Sequence, residues 1–331
     1  MKRLTSSLLL LTSSFLLCSC KADLRELCYD HNHSPSEGKT AELILELKLN
    51  LDLDLDVSIE AHTEIVAPEY MKVCFYDPEL DNLRSTEFVK GGGGPLHTAP
   101  GRYNLVAYSF GTEWTQIRGE SDVNTLEAFT SDITATNGAK LASFSRAGEY
   151  DTSGPIIYTP DHLLVAYEPV EIPVPSIEHP TITIQADAAT IVKTYGFKMV
   201  NVNGLQYIQS VEAFVTNQAL SNYFGRGELN TVPATIYFPV EVNMEKGDLE
   251  TTFNTFGKLP GESRSFLHIL LTSTDGREIR ISTDISEQFD KPDHTIVIDE
   301  PVDIPAPEGN AGGIAPKVEP WNEENHDVPI G

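Results

Sequence analysis

Residues 43–59 read Leu43-Ile44-Leu45-Glu46-Leu47-Lys48-Leu49-Asn50-Leu51-Asp52-Leu53-Asp54-Leu55-Asp56-Val57-Ser58-Ile59, with an apolar side chain at every odd position. The even positions are mostly charged or polar, among them Glu46, Lys48, Asn50, Asp52, Asp54 and Asp56. Side chains of a strand point alternately to its two faces, so this period of two predicts a β-strand with one buried and one wet face. The run exceeds the usual strand length of about three to ten residues, which predicts a bulge or an extension beyond the sheet. Its aspartates do not make a calcium site, because neighbours on one strand face point outward side by side without enclosing an ion.

The same reading extends along the chain. Residues 71–76 form a second strand, and the glycines 91–94 make a turn. That glycine run is no phosphate loop, since neither a following Gly-Lys-Ser/Thr nor a G-x-G-x-x-G opening of a helix is present there. Pro100-Gly101 opens a turn followed by a half-buried strand at 102–108. Residues 114–150 are irregular, with a short helix expected near 123–129. Pro169, Pro173, Pro175 and Pro180 mark a domain boundary, because proline lacks the N–H a sheet ladder needs. Strand-like runs resume at 181–184, 191–202, 208–215, 235–243, 265–273, 277–283 and 295–299. Thr274-Asp275-Gly276 between two of them is a hairpin signal. A Pro/Gly-rich segment at 301–316 leads to a last short stretch at 317–321. Many short strands without long amphipathic helices predict an all-β protein built of β-sandwiches.

At 331 residues the chain is long for one core, so two domains are expected. The layout is a signal peptide at 1–19, a tether at 20–35, an N-terminal β-sandwich domain at 36–175 and a C-terminal one at 176–331. Lys2 and Arg3 precede an apolar run at 4–17, and Ser19 precedes Cys20. This order of basic, apolar and small residues is that of a secretory signal, too short to span a bilayer as a helix. It resembles a lipobox with Cys20 as the acylated N-terminus, although Cys18 stands where alanine or serine is commoner. Ordinary cleavage leaving a free Cys20 is the plainer alternative. Membrane association through a lipid on Cys20 places the protein at the outer membrane, on the cell surface.

Cys28 and Cys74 then remain, and in an oxidising compartment they either pair as a disulfide or stay apart, Cys74 as a small buried hydrophobe and Cys28 free. Cys28-Tyr29-Asp30-His31-Asn32-His33 contains zinc-type ligands, but lacks a second ligand pair at finger spacing and reads as a solvated loop. The formal charge of −26 excludes nucleic acid as a partner, since such binding rests on Lys and Arg neutralising phosphates. Neither a G-x-S-x-G elbow nor an H-E-x-x-H helix is present, and paired acids arise by chance in so acidic a chain. His268 shares a strand face with Phe266 and Leu270 and is read as a packed structural histidine. The terminal Trp321-Asn322-Glu323-Glu324-Asn325-His326-Asp327 is read as a solvated end rather than a cation site. No catalytic set, metal set or cofactor is expected, and the chain is read as a non-enzyme.

Acids soon after Cys20 (Asp23, Glu26, Asp30) resemble the export patch of surface lipoproteins in some Gram-negative bacteria. Gly101-Arg102-Tyr103-Asn104-Leu105 resembles a strand recurrent in transthyretin-like and fimbrillin-like sandwiches. Leu27-Cys28-Tyr29-Asp30-His31, Leu249-Glu250-Thr251-Thr252-Phe253-Asn254-Thr255-Phe256-Gly257 and Gly312-Gly313-Ile314-Ala315-Pro316-Lys317-Val318-Glu319-Pro320-Trp321 add to the likeness. Together they resemble fimbrillin-like lipoproteins of Bacteroides type, related to the anchor subunits of type V pili. The resemblance implies two transthyretin-like domains in tandem, with pilus or fimbrial subunits as partners. It further implies β-strand complementation, in which an anchor keeps its lipidated end and accepts a strand. Two other functions stay open: a surface glycan- or protein-binding lipoprotein using exposed aromatics near Trp114, and an enzyme with a deep pocket.

Overall fold

The structure, a computed structural model, describes residues 40–53, 64–144, 154–174, 181–261 and 264–307. The chain opens with strands β1 (Ala41–Leu49), β2 (Tyr70–Tyr76), β3 (Leu83–Lys90), β4 (Gly93–Thr98) and β5 (Gly101–Ser109). Short strands β6 (Gln116–Arg118), β7 (Glu127–Phe129) and β8 (Ile156–Tyr158) follow, with helix α1 (Thr134–Ala142) between the last two. Then come β9 (Leu164–Ile172), β10 (Thr181–Thr190), β11 (Lys193–Met199), β12 (Val202–Asn203), β13 (Ile208–Ala219), β14 (Ser221–Tyr223) and β15 (Glu228–Leu229). The last are β16 (Pro233–Pro239), β17 (Glu241–Asn243), β18 (Asp248–Thr255), β19 (Phe266–Ser273), β20 (Glu278–Asp284), β21 (Thr295–Ile298) and β22 (Val302–Asp303).

Seven strands close into a barrel in the order β1-β10-β9-β5-β2-β3-β4. The first strand supplies the closing seam: it runs parallel to β10, with Leu43 opposite Ile182, and antiparallel to β4, with Leu43 opposite Leu96. Ala41, Leu43, Leu45 and Leu47 are buried, while Glu42, Ile44, Glu46 and Lys48 between them are exposed. The alternation therefore sets which face fills the barrel, where the leucines join Met71, Val73, Phe75, Leu96 and Leu105. Burying each such side chain contributes about 1.5–3 kcal/mol.

Of the two outcomes expected for the long run, the ladder shows no bulge: it spans nine residues and the chain continues beyond the sheet. Its ladder stops at Leu49 opposite Ala188, because β4 has turned away at Gly93 and β10 is near its end. Leu51 and Leu53 lie beyond the ladder and pack, half-buried, against the same core. Residues 54–59 lie outside the described residues.

The second body is an open sandwich. One sheet has the order β20-β19-β13-β16-β8 and the facing one β17-β18-β11-β21. Ala213, Phe238 and Ile269 of the first meet Phe197, Phe253 and Ile296 of the second in one core. Phe238 and Phe253 stack across it with centroids 4.5 Å apart. A small sheet, β15-β14-β7-β6, and a parallel pair, β12 with β22, complete the fold. The all-β class and its sandwich architecture are thus as expected.

The boundary expected at 175/176 falls between β9 and β10, which are neighbouring staves of one barrel. On its other side, β8 pairs with β16 of the second body. The two bodies interlock across that point, and the described residues form one compact unit. The helix expected near 123–129 is instead a 3-10 turn, Val123–Thr125, running into β7. The Asp122 side chain caps the turn by accepting from the Asn124 N–H at 2.8 Å. Ala128 pairs with Asn222 on one side and Ile117 on the other, so the ladder competes successfully with helix formation.

The one α-helix among the described residues, α1, covers the outer face of the five-stranded sheet, where Leu141 and Phe144 meet Phe214 and Leu270. His268 lies wholly buried under the same cover, its ring 4.9 Å from that of Phe144 and its Nδ1 2.8 Å from Ser282 Oγ. Burial pushes its pKa down to about 4. The unfolded chain binds this proton near pH 6.5 while the folded one resists until about 4, so stability is full above 6.5 and is lost as pH falls between the two. Urea unfolding should therefore show a loss of about 3 kcal/mol from this residue between pH 7 and pH 4. His268→Gln should flatten that part of the profile, and an unchanged slope would show that the imidazole is not desolvated as described.

Candidate binding surface

Strands β2 and β5 are apolar on both faces. Met71, Val73 and Phe75 point into the barrel, whereas Cys74, Tyr76, Val106 and Tyr108 point out and are equally buried. Val123, Leu126 and Phe224 cover that outer face. The cover ends where β2 reaches Lys72, which stands opposite Phe88 on β3 and Tyr108 on β5. Here the wall opens into a cleft of about 330 Å³ lined by Lys72, Phe88, Tyr108, Phe110, Ile117 and Glu120. Phe88 is 58% exposed and Phe110 44%. Their rings meet edge to face at 5.5 Å.

The floor of the cleft is polar and connected. Lys72 Nζ donates to Glu120 Oε1 at 2.7 Å and Oε2 at 2.8 Å, and the Tyr108 hydroxyl donates to Oε1. Tyr76 donates to the Glu120 carbonyl at 3.0 Å. Burial opposes ionisation of Glu120, but the hydrogen bonds from Lys72 and Tyr108 outweigh it and hold the carboxyl below its ordinary range. Burial, with Cys74 and Glu120 adding to it, pushes the Tyr108 phenol far upward. The Cys74 thiol is likewise raised, chiefly by burial, so it stays protonated and unreactive at neutral pH. It lies 3.9 Å from the Tyr108 hydroxyl and 3.8 Å from Thr86 Oγ1. Gly119 sets the approach of Glu120: its φ is +76, and a Cβ there would sit 1.9 Å from the Thr125 carbonyl oxygen.

A second, more acidic hollow of about 570 Å³ adjoins across Phe110 and Thr112, with Glu69, Glu113, Asp161 and His162 in its wall. Asp161 pins the intervening loop by accepting from the N–H groups of Trp114 at 2.5 Å and Thr115 at 3.1 Å. His162 is held between Thr190 Oγ1 at 3.0 Å and Thr194 Oγ1 at 3.1 Å, and burial lowers its pKa. It is a satisfied neutral histidine. Among the described residues no His, Cys, Asp and Glu side chains converge as a metal site.

Sheet edges are the other surfaces to which a partner strand can add. In the barrel β1 is paired on both sides, but two seams are short: β9 and β10 pair only at Val165 with Ala189 and Leu164 with Thr190, and β3 and β4 only at Lys90 with Gly93. In the second body the rim of β21 is capped by Gln288, whose side chain accepts from the Val297 N–H at 2.8 Å and donates to its carbonyl at 3.3 Å. The rim of β8 is met by the Asp132 to Ile157 bridge and by the Ile133 N–H. Seven-residue β20 pairs only with β19 and leaves its other side free. The flanking bonds, Ser273 N–H to Arg277 O and Ile285 N–H to Ser265 O, fix the ladder phase. That phase turns the main-chain groups of Glu278, Arg280, Ser282 and Asp284 outward.

A family profile described as a domain of unknown function, DUF5119, matches residues 19–239. The chain belongs to this family. A Bacteroides ovatus relative, provisionally named a fimbrium anchoring subunit (Fim4B), is 24% identical over 304 residues, covering 80% of this chain and 85% of its own. A B. ovatus crystal structure, provisionally described as an adhesin, superposes with a TM-score of 0.57 at 20% identity, over 82% of this chain and 94% of that one. The fimbrial anchor protein Mfa2 of Porphyromonas gingivalis gives 0.45 at 14% identity, over 78% and 91%. Only the first of these two structures is close enough to bear on the fold, and it supports the all-β sandwich plan.

In this DUF5119 chain Cys74 is buried in β2, while Cys20, Cys28 and residues 29–33 and 321–327 lie outside the described residues. Trp114, near which exposed aromatics were expected, is itself partly exposed. That ring packs at 4.4 Å on Tyr158, one loop away from the cleft formed by Phe88 and Phe110. Sequence reasoning missed Lys72, Phe88, Phe110 and Glu120, because β2 and β5 are apolar on both faces and nothing local marks where the cover over their outer face stops.

Proposed function

We propose that this chain is a non-enzymatic, lipid-anchored cell-surface subunit of a fimbria-like assembly, anchoring or capping the fibre by accepting a β-strand from a partner subunit. The observation that carries the reading is the seven-residue free edge of β20. A partner strand adds at this edge of the second body, where the main-chain groups of alternate β20 residues face outward. Main-chain hydrogen bonds then supply affinity and alternate side-chain contacts supply register. Glu278, Arg280 and Asp284 along the edge deter unselected pairing. The relation to a protein named as an anchoring subunit, over most of both chains, supports the same reading.

Arg280→Pro tests it directly. Proline there removes one outward N–H while the β19 ladder keeps its bonded pairs, so the protein should stay folded. Cross-linking of a fibre subunit from intact cells should fall about tenfold or more. Capture at the wild-type level, with unchanged fibre number and attachment in a strain lacking the protein, would remove the anchor role. The lipid anchor is tested separately. Cys20→Ala should abolish fatty-acid labelling and leave the protein unprocessed or soluble, and normal fractionation with membranes would reject acylation at Cys20.

A further inference from the structure

We infer that the cleft on the outer face of β2, β3 and β5 binds a neutral saccharide, at a site separate from the β20 edge. The argument begins with donors and acceptors left over. An ammonium has three N–H groups, and two from Lys72 reach Glu120. An ionised carboxylate offers about four lone-pair positions. Glu120 Oε1 receives Lys72 and Tyr108, whereas Oε2 receives Lys72 alone. What faces the cleft is therefore a spare acceptor beside a spare donor. A hydroxyl group answers both, donating to the carboxylate and accepting from the ammonium, and neighbouring hydroxyls on one ring answer them together.

The walls supply the rest. Phe88 and Phe110, both substantially exposed, offer apolar surface to the C–H face of a sugar ring. A few convergent polar groups among apolar walls, in about 330 Å³, match the lower end of small-molecule sites at roughly 300–1,000 Å³. The Lys72 and Glu120 charges cancel within the cleft, and the chain carries −26 overall, so an anionic ligand is disfavoured over a neutral one. A peptide strand does not fit this face, because β2 is already paired along its length with β3 and β5 and has no main-chain groups to offer.

The test is a glycan array carrying neutral, sulfated and uronic-acid oligosaccharides, probed with the mature chain, followed by calorimetric titration of the strongest neutral hit. Neutral oligosaccharides should bind. Phe88→Ser and Phe110→Ser, both at exposed positions, should each weaken binding about tenfold at an unchanged melting temperature. Lys72→Met should weaken it too, with folding checked by the same melt. A blank array, hits confined to anionic glycans, or a neutral hit unaffected by both serine variants would overturn the assignment. So would loss of a cross-linked protein partner in Phe88→Ser cells without glycan binding, which would identify the cleft as a protein-docking face. Neither result depends on Arg280→Pro, which leaves the cleft intact.

Discussion

Leu45→Asp should destabilise the protein by about 4 kcal/mol or more, whereas Glu46→Leu, one residue along, should change stability by no more than about 0.5 kcal/mol. Leu45 is 1% exposed at the centre of β1 and packs within the barrel core. An aspartate there loses the leucine's burial and sets an unpaired carboxylate among Leu43, Phe75 and Leu96, where it must protonate or drag in water. Since domains are stable by only about 5–15 kcal/mol, most of the margin disappears. Glu46 points outward, where its carboxylate accepts from Gln185 Nε2 at 3.0 Å. Removing that exposed contact costs little. Urea titrations of both variants against wild type decide the matter, and equal losses would mean that β1 is not seated with its odd residues inward.

The second large effect is expected at Gly93, where the turn between β3 and β4 delivers the chain to the barrel seam. Gly93 has φ +100, and a Cβ built there would lie 2.0 Å from the Leu45 carbonyl oxygen and 3.1 Å from the Leu47 nitrogen. Both contacts are with backbone held in the ladder, so no side chain can swing aside. Gly93→Ala combines a backbone conformation strained for alanine with a steric overlap at the pairing of Glu46 with Gly93. A loss of about 3 kcal/mol or more is expected. Hydrogen exchange should show the β1 and β4 amides losing protection first. Gly92→Ala is the control, since nothing lies within 4 Å of a Cβ there. A Gly93→Ala variant as stable as Gly92→Ala would refute the close approach.

The fold was most legible where one residue type repeats with one period. Leucine on every odd position from 43 to 49 fixes the inner face of β1 without knowledge of its partners. The same pattern does not say where the ladder stops, because a ladder ends where its neighbours end and alternation continues without them. The helix α1 was invisible for the opposite reason. Thr134-Ala135-Thr136-Asn137-Gly138-Ala139-Lys140-Leu141-Ala142 has threonines and a central glycine, weak helix formers, and is held by packing of Leu141 and Phe144 on a sheet over a hundred positions away in part. The candidate cleft was illegible because it depends on where cover stops. Tyr108 and Phe110 lie two residues apart on one face, yet one is buried and the other open. The Gln288 cap on β21 is a tertiary event of the same kind.

The position of β1 also determines how the protein would bear a pull. A pull on Ala41 directed along the axis of β1 loads a strand clamped between β10 and β4. Force along a strand loads the hydrogen bonds of both ladders sideways and together, whereas force across an edge opens them one after another like a zip. Strand β1 is thus gripped by two rows of bonds acting in parallel, a geometry that resists such a pull better than an edge strand does.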